Sequence, residues 1–220
     1  MLALPCLESD SKITIVPPIN SRNYIAITLS ILNEFGIAFK ANENEIKISG
    51  NQKYKAGNYL TEGDYSNAAF LEAFNYFGSS VVIDGLNKNS LQGDKVYIEL
   101  FKKLHESSVE INVSNCIDLC PVLFVFAALN HGAIFNGTSR LKFKESDRAE
   151  AIKEELAKLG AEVTINEDLM LLTGKAFGEE INKIGVPLFW SKNKLTPLYL
   201  WNMFNAKFSI FDFLAKCYVN

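Results

Sequence analysis

The sequence predicts an α/β protein built from repeated strand–helix–strand–helix–strand–strand units. One order of segments (a β-branched run, a polar turn, an amphipathic stretch, then short alternating strands) occurs three times along the chain. It starts at Ser11 ("SKITIVPPINSRNYIAITLSILNEFG"), at Ser79 ("SSVVIDGLNKNSLQGDKVYIELFKKLHESS") and at Gly132 ("GAIFNGTSRLKFKESDRAEAIKEELAKLG"). Self-similarity on this scale marks a structural repeat. The middle segment of each copy places apolar residues at helix spacing, and in the first and third copies a glycine stands where the helix must stop.

Each element has its own reason. "MLALPCLE" (Met1 to Glu8) reads as the last turns of a helix that precedes the first copy. In that copy "KITIV" is a strand, the segment from Ser21 to Phe35 a helix closed by Gly36, and "IAFKANENEIKISG" a hairpin. "YSNAAFLEAFNYFG" is a helix, and Ser66 is its expected N-cap. "SSVVIDG" is a strand by its β-branched run, while "SSVEINVSNCIDL" is too short for two hairpin strands, so the second copy is abbreviated. "CPVLFVFAALNHG" is apolar on all sides, as a helix buried all round must be. In the last copy Ala149, Ile152, Leu156 and Leu159 share one helical face, Glu154 can pair with Lys158, and Gly160 supplies a left-handed C′ position.

Composition excludes several function classes. A net charge of −3 gives no basic footprint for nucleic acid, yet a local cluster can still oppose the global sign. The cysteines (Cys6, Cys116, Cys120, Cys217) lack disulfide-framework spacing, and His105 and His131 form no ligand-spaced pair, so no metal is expected. No basic stretch leads into an apolar run at the start, and "CPVLFVFAAL" is too short to span a bilayer. A cytoplasmic location with no membrane partner is the expectation.

Charge is concentrated at one helix mouth. "KESDR" sets Lys144, Glu145, Asp147 and Arg148 just ahead of the third-copy helix. Such a cluster is either an N-terminal cap with solvated charges or an anion-handling site, because helix N-termini carry unpaired N–H groups and partial positive charge. The turns "NSRNY" and "NSLQGD" occupy the corresponding places in the other copies. Asp118, just before Pro121, reads on its own as an N-cap, Ser90 and Gln92 as turn-forming, and Glu62 with Asp64 as a hinge or a substrate contact.

"EGDYSNAAF", "NSLQGD", "DLCPVLFVFAAL" and "RLKFKESDR", in this order, together with "SRNYIAITLSILNEFG", resemble the 5-enolpyruvylshikimate-3-phosphate synthase family. The resemblance runs from Met1 to about Gly174. It implies an inverse α/β barrel of βαβαββ repeats, here incomplete, in a two-domain protein whose substrates bind between the domains. Met1 to Asn58 would be the last repeat of the first domain, residues 59–174 the first two repeats of the second, and residues 175–220 an aberrant tail. The implied reaction transfers the enolpyruvyl group of phosphoenolpyruvate to shikimate 3-phosphate, without a cofactor. By the same resemblance Asp118 is the base towards shikimate 3-phosphate and Glu145 the acid that serves the enolpyruvyl carbon. Ser21, Tyr24 and Lys144 contact shikimate 3-phosphate, and Arg148 clamps phosphoenolpyruvate. The related UDP-N-acetylglucosamine enolpyruvyl transferases are expected to lack "KESDR" and "SLQGD".

The departures shape the expectation for the chain alone. The family's early Lys/Ser/Arg cluster would precede Met1, and its Asp-His-Arg motif does not follow Gly174. Arg22, Arg140 and Arg148 are the only arginines, and Arg140 stands where some members carry a substrate-touching asparagine. The chain is therefore expected to be a fragment with little activity alone. It would be one half of a split enzyme that needs a separately encoded first half, or a non-catalytic relic; the family is usually monomeric. Ile25, Leu29, Leu32 and Phe35 would lack their usual neighbours.

Overall fold

The computed structural model describes residues 1–173 except 78, 145 and 159. The region past Gly174, the helical position of Leu159 and the predicted acid Glu145 lie outside the described residues. The chain divides into two compact units, one of residues 1–63 with 87–93 and the other of residues 64–86 with 94 onward.

In the first unit a 3-10 turn, Leu4–Cys6, takes the place of the expected final helical turns. Strand β1 (Ser11–Thr14), helix α1 (Arg22–Glu34) and strands β2 (Phe39–Ala41) and β3 (Glu45–Ile48) follow as the sequence pattern requires. The sheet is antiparallel in the order β1-β3-β2. Asn42 makes the hairpin turn, its Oδ1 accepting from Asn44 N at 3.0 Å and Glu45 N at 2.9 Å. Alternation sends Ile46 and Ile48 inward, where they meet Leu32 and Ile37 in a small core flanked by Ile13, Ile25, Leu29 and Phe39. Leu32 is fully buried, and Phe35 stacks on Tyr59 with ring centroids 4.0 Å apart. Phe35 thus gains aromatic neighbours that the sequence did not suggest, because Tyr54 and Tyr59 lie against its ring.

The second unit holds helix α2 (Tyr65–Tyr76), helix α3 (Tyr97–Glu106), strand β4 (Val109–Asn112), helix α4 (Cys120–Leu129), strand β5 (Gly132–Asn136), helix α5 (Arg148–Lys158) and strands β6 (Glu162–Asn166) and β7 (Leu169–Thr173). Its sheet order is β4-β5-β7-β6, with β4 parallel to β5 and the other pairs antiparallel. Helix α4 packs against α2, α3, α5 and β5, which explains why it has no polar face. Phe126 stacks on Phe101 at 4.4 Å, and Phe124 on Phe135 at 4.1 Å. Removing either ring would cost about 3–5 kcal/mol.

Two expectations need correction. "SSVVIDG" forms no strand. The Asn75 side chain takes both backbone groups of Val81, accepting from its N at 2.7 Å and donating to its O at 3.0 Å, so no sheet partner can use them. The cap of α2 is Asp64 rather than Ser66: Asp64 Oδ1 accepts from Ser66 N at 2.9 Å and from Ser66 Oγ at 2.8 Å. Gly36 and Gly160 do adopt the left-handed conformation, with φ of 77° and 82°. No helix among the described residues is long and apolar enough to cross a membrane.

Candidate active site

The site is built on two 3-10 turns of the second unit and the start of helix α5. Between β4 and α4 the chain makes a 3-10 turn, Ile117–Leu119. Ile117 and Leu119 are sunk in the core, which turns the residue between them, Asp118, the other way. A second 3-10 turn, Ser139–Phe143, is anchored by buried Leu141 and by Asp168 Oδ1, which accepts from Ser139 N at 2.9 Å. Lys144 follows this turn in extended backbone, and Arg148 opens α5.

These elements converge on one atom. Asp118 Oδ1 accepts from Lys144 Nζ at 3.0 Å and from Arg148 Nη1 at 2.9 Å. Arg148 is 1% exposed, whereas the side chains of Asp118 and Lys144 keep 23% and 21% of their surface open. A guanidinium so deeply buried requires an opposite charge, since an unpaired buried ion costs several kcal/mol. The partly open carboxylate supplies it from the rim. Asp118 is therefore not an N-cap: α4 begins after Leu119 with no side-chain cap.

Asp147 does the capping work at the mouth of α5. Its Oδ1 accepts from Ala149 N at 3.1 Å and Glu150 N at 3.2 Å. The Ala149 and Glu150 amides at the start of α5 are thereby occupied by the chain's own carboxylate. The side chains of Lys144 and Arg148 bring the positive charge of this cluster to Asp118.

A fourth group, Asp94, escaped the sequence reading. It lies in the 3-10 turn Gly93–Val96 that leads into α3, and it is 8% exposed. Burial pushes its carboxyl up to about 7; the charges of Asp118 and Asp64 add to this and Lys144 opposes it. The only hint in the sequence was an acidic residue between Gly93 and an apolar helix start, which is also how an ordinary cap looks. Burial likewise drives the Cys116 thiol up to about 12, with Asp94 and Asp118 contributing, and drives Cys120 well above its usual range. Burial thus disfavours the thiolate, the nucleophilic form, at both cysteines.

The remaining predicted residues fall in the first unit. Ser21 is the N-cap position of α1 but adopts φ 55°, ψ 42°, and its side chain does not cap the helix. Tyr24, 51% exposed, sits one turn on, with its N donating to Ser21 O at 3.1 Å. The structure thus joins Asp118, Lys144 and Arg148 to one another, and Ser21 to Tyr24. Glu145 lies outside the described residues.

Known proteins share this sequence and fold. The profile of the family EPSP synthase (3-phosphoshikimate 1-carboxyvinyltransferase) matches residues 1–108 and 99–184, the second stretch extending past Gly174. A 3-phosphoshikimate 1-carboxyvinyltransferase of Clostridium kluyveri is 38% identical over 194 residues, covering 80% of this chain and 45% of the relative. That of Clostridium acetobutylicum is 40% identical over 192 residues, covering 80% of this chain and 45% of the relative. The chain thus spans a little under half the length of these curated relatives. An EPSP synthase structure from Acinetobacter baumannii superposes with a TM-score of 0.64 at 24% identity, over 81% of this chain and 46% of that one, which establishes the fold. With the family profile matching more than half of the chain and the α/β fold shared, the chain belongs to the EPSP synthase family.

Proposed function

We propose that this chain contributes part of an enzyme that transfers the enolpyruvyl group of phosphoenolpyruvate to shikimate 3-phosphate. The supporting observation is the Asp118 carboxylate held by two cations, at 2.9 and 3.0 Å, from two other segments. In this reaction a ring hydroxyl of shikimate 3-phosphate adds to the enol carbon while the methylene carbon gains a proton. The resulting methyl group then gives a proton back as phosphate leaves. Asp118 accepts the hydroxyl proton, and its bonds to Lys144 and Arg148 hold the carboxylate in place. Glu145 delivers the proton to the methylene carbon and recovers it. Lys144 also meets shikimate 3-phosphate, and Arg148, a planar fork of N–H donors, orients phosphoenolpyruvate. Ser21 hydrogen-bonds the shikimate phosphate, and Tyr24 packs near the same substrate. In this reading Met1 to Asn58 is the last repeat of the family's first domain and residues 59–174 begin the second. The reaction runs in the cytoplasm.

Because the chain spans about 45% of its relatives, we assign the reaction to the chain together with the part of the family protein that its relatives carry in addition. Purified chain, with and without a polypeptide supplying that part, is to be assayed for phosphate release from phosphoenolpyruvate and shikimate 3-phosphate. Release that requires both polypeptides is expected. Silence in both conditions favours a non-catalytic relic and overturns the proposal, and full release by the chain alone contradicts the division of the site.

A further inference from the structure

The chain leaves the first unit after Gly63, re-enters it at Asn87 and leaves it again after Gly93. The segments before the two exits are tied together by a single carboxylate. Glu62 Oε1 accepts from Ser90 Oγ at 2.6 Å and from Gln92 Nε2 at 2.9 Å. Gln92 Nε2 also donates to Gly63 O at 2.9 Å, and Gln92 N donates to Ser90 Oγ at 3.1 Å. Asn87 adds a further side-chain bond to Glu62, and its own Oδ1 and O accept from Asn89 N and Ser90 N, both at 2.9 Å.

This is more than a turn closing on itself. A turn of residues 87–93 is complete with its local Asn87 bonds, and Ser90 and Gln92 at a surface could hydrogen-bond water. Instead their side chains reach back 28 and 30 positions to one oxygen of Glu62. The bonds to Ser90 and Gln92 hold the Glu62 carboxyl below its ordinary range, so it is ionised under neutral conditions and the bonds are charge-assisted. The motifs "EGD" and "NSLQGD", which the proposed reaction does not use at Glu62, Ser90 or Gln92, are thus the two halves of one connection.

We propose that Glu62 is a latch that makes the two exits from the first unit a single mechanical element, so that residues 59–63 cannot move without residues 87–93. The proposal concerns how the passage between units is held, and it stands whether or not the assigned reaction is correct. Reciprocity is its signature. Loosening either side must loosen the other, which a merely local turn would not do.

The test is residue-level hydrogen exchange, with limited chymotrypsin digestion, on the full chain as wild type, Glu62→Ala and Ser90→Ala. Tyr59 and Leu60 offer the cleavage site, Leu60 being 98% exposed. Glu62→Ala is expected to speed exchange of the Gln92 amide about tenfold, and Ser90→Ala to speed cleavage at residues 59–60 by a similar factor, the loss expected for hydrogen bonds to a charged group. Amides of α3 and α4 should keep their rates in both. Loosening confined to the substituted side overturns the latch. So does a uniform rise in exchange across the chain, which would make Glu62 a general stabilising residue. Ser90→Ala keeps the test decisive should Glu62→Ala fail to fold.

Discussion

Arg148 Nη1 lies 2.9 Å from Asp118 Oδ1, thirty residues away in sequence, and this contact joins the first residue of α5 to the turn before α4. The guanidinium is buried and the carboxylate is partly open, so the pair is asymmetric. Losing the carboxylate takes a charge partner from a buried guanidinium, whereas losing the guanidinium leaves the partly open Asp118 with Lys144. Asp118→Ala should therefore cost roughly 3 kcal/mol, near the lower bound for breaking a buried ion pair. A double mutant with Arg148→Met should cost clearly less than the sum of the single changes. Urea unfolding of the four proteins measures this, and strict additivity would show that the contact carries no coupling.

Asp94 makes stability fall as pH rises. Its folded carboxyl keeps its proton up to about pH 7, whereas the unfolded one releases it near 3.8. Between those values the unfolded chain binds fewer protons than the folded one, so this group's contribution is fully present below the lower value and lost through the upper one. Asp64, Asp118, Lys144 and Cys116 are the titratable groups that interact with it. Asp94→Asn should match wild type near about pH 4 and exceed it near about pH 8, by an amount on the order of a few kcal/mol. Thermal unfolding across that window checks the crossover.

Two glycines separate backbone strain from crowding. Gly85 and Gly137 both have positive φ, 84° and 77°, but a Cβ at Gly85 would meet nothing within 4 Å. At Gly137 it would come 2.9 Å from Ser114 N and 3.0 Å from Ser114 Cβ. Gly85→Ala should cost about 1–2 kcal/mol, the price of a left-handed L-residue, and Gly137→Ala distinctly more. Equal losses in denaturant titrations would mean that Ser114 yields freely.

At the start of α2 the cap is a carboxylate. Asp64→Ala removes the acceptor for Ser66 N and should cost about 1 kcal/mol. Ser66→Ala removes only a hydroxyl that donates to the same oxygen, leaving the N–H bond in place, and should cost less. The reverse ranking in thermal unfolding would place the cap at Ser66.

What the sequence made legible was local. The period of α5, the all-round apolar run of α4 and the stop glycines Gly36 and Gly160 depend on residues within a few turns, and each element formed where its pattern lies. What was illegible depended on distant partners. Val81 and Val82 have strand propensity, but Asn75 claimed the backbone of Val81 and left Val82 82% exposed. Asp118 has the look of a cap, because nothing nearby in sequence reveals cations arriving from Lys144 and Arg148. Burial of Asp94 follows from packing alone. In the site, residue identities pointed to chemistry, while the division of labour between Asp147 as cap and Lys144 and Arg148 as charge partners required the geometry.

The most direct test of the central claim compares phosphate release by wild type and Asp118→Asn, each combined with the complementing part of the family protein. Asparagine keeps the shape of the side chain and an acceptor oxygen but cannot take up the hydroxyl proton. A fall of about 10²–10⁴-fold, with unchanged circular dichroism, is the expected result. Release within about twofold of wild type would contradict the role of Asp118 as base and remove the basis of the assignment.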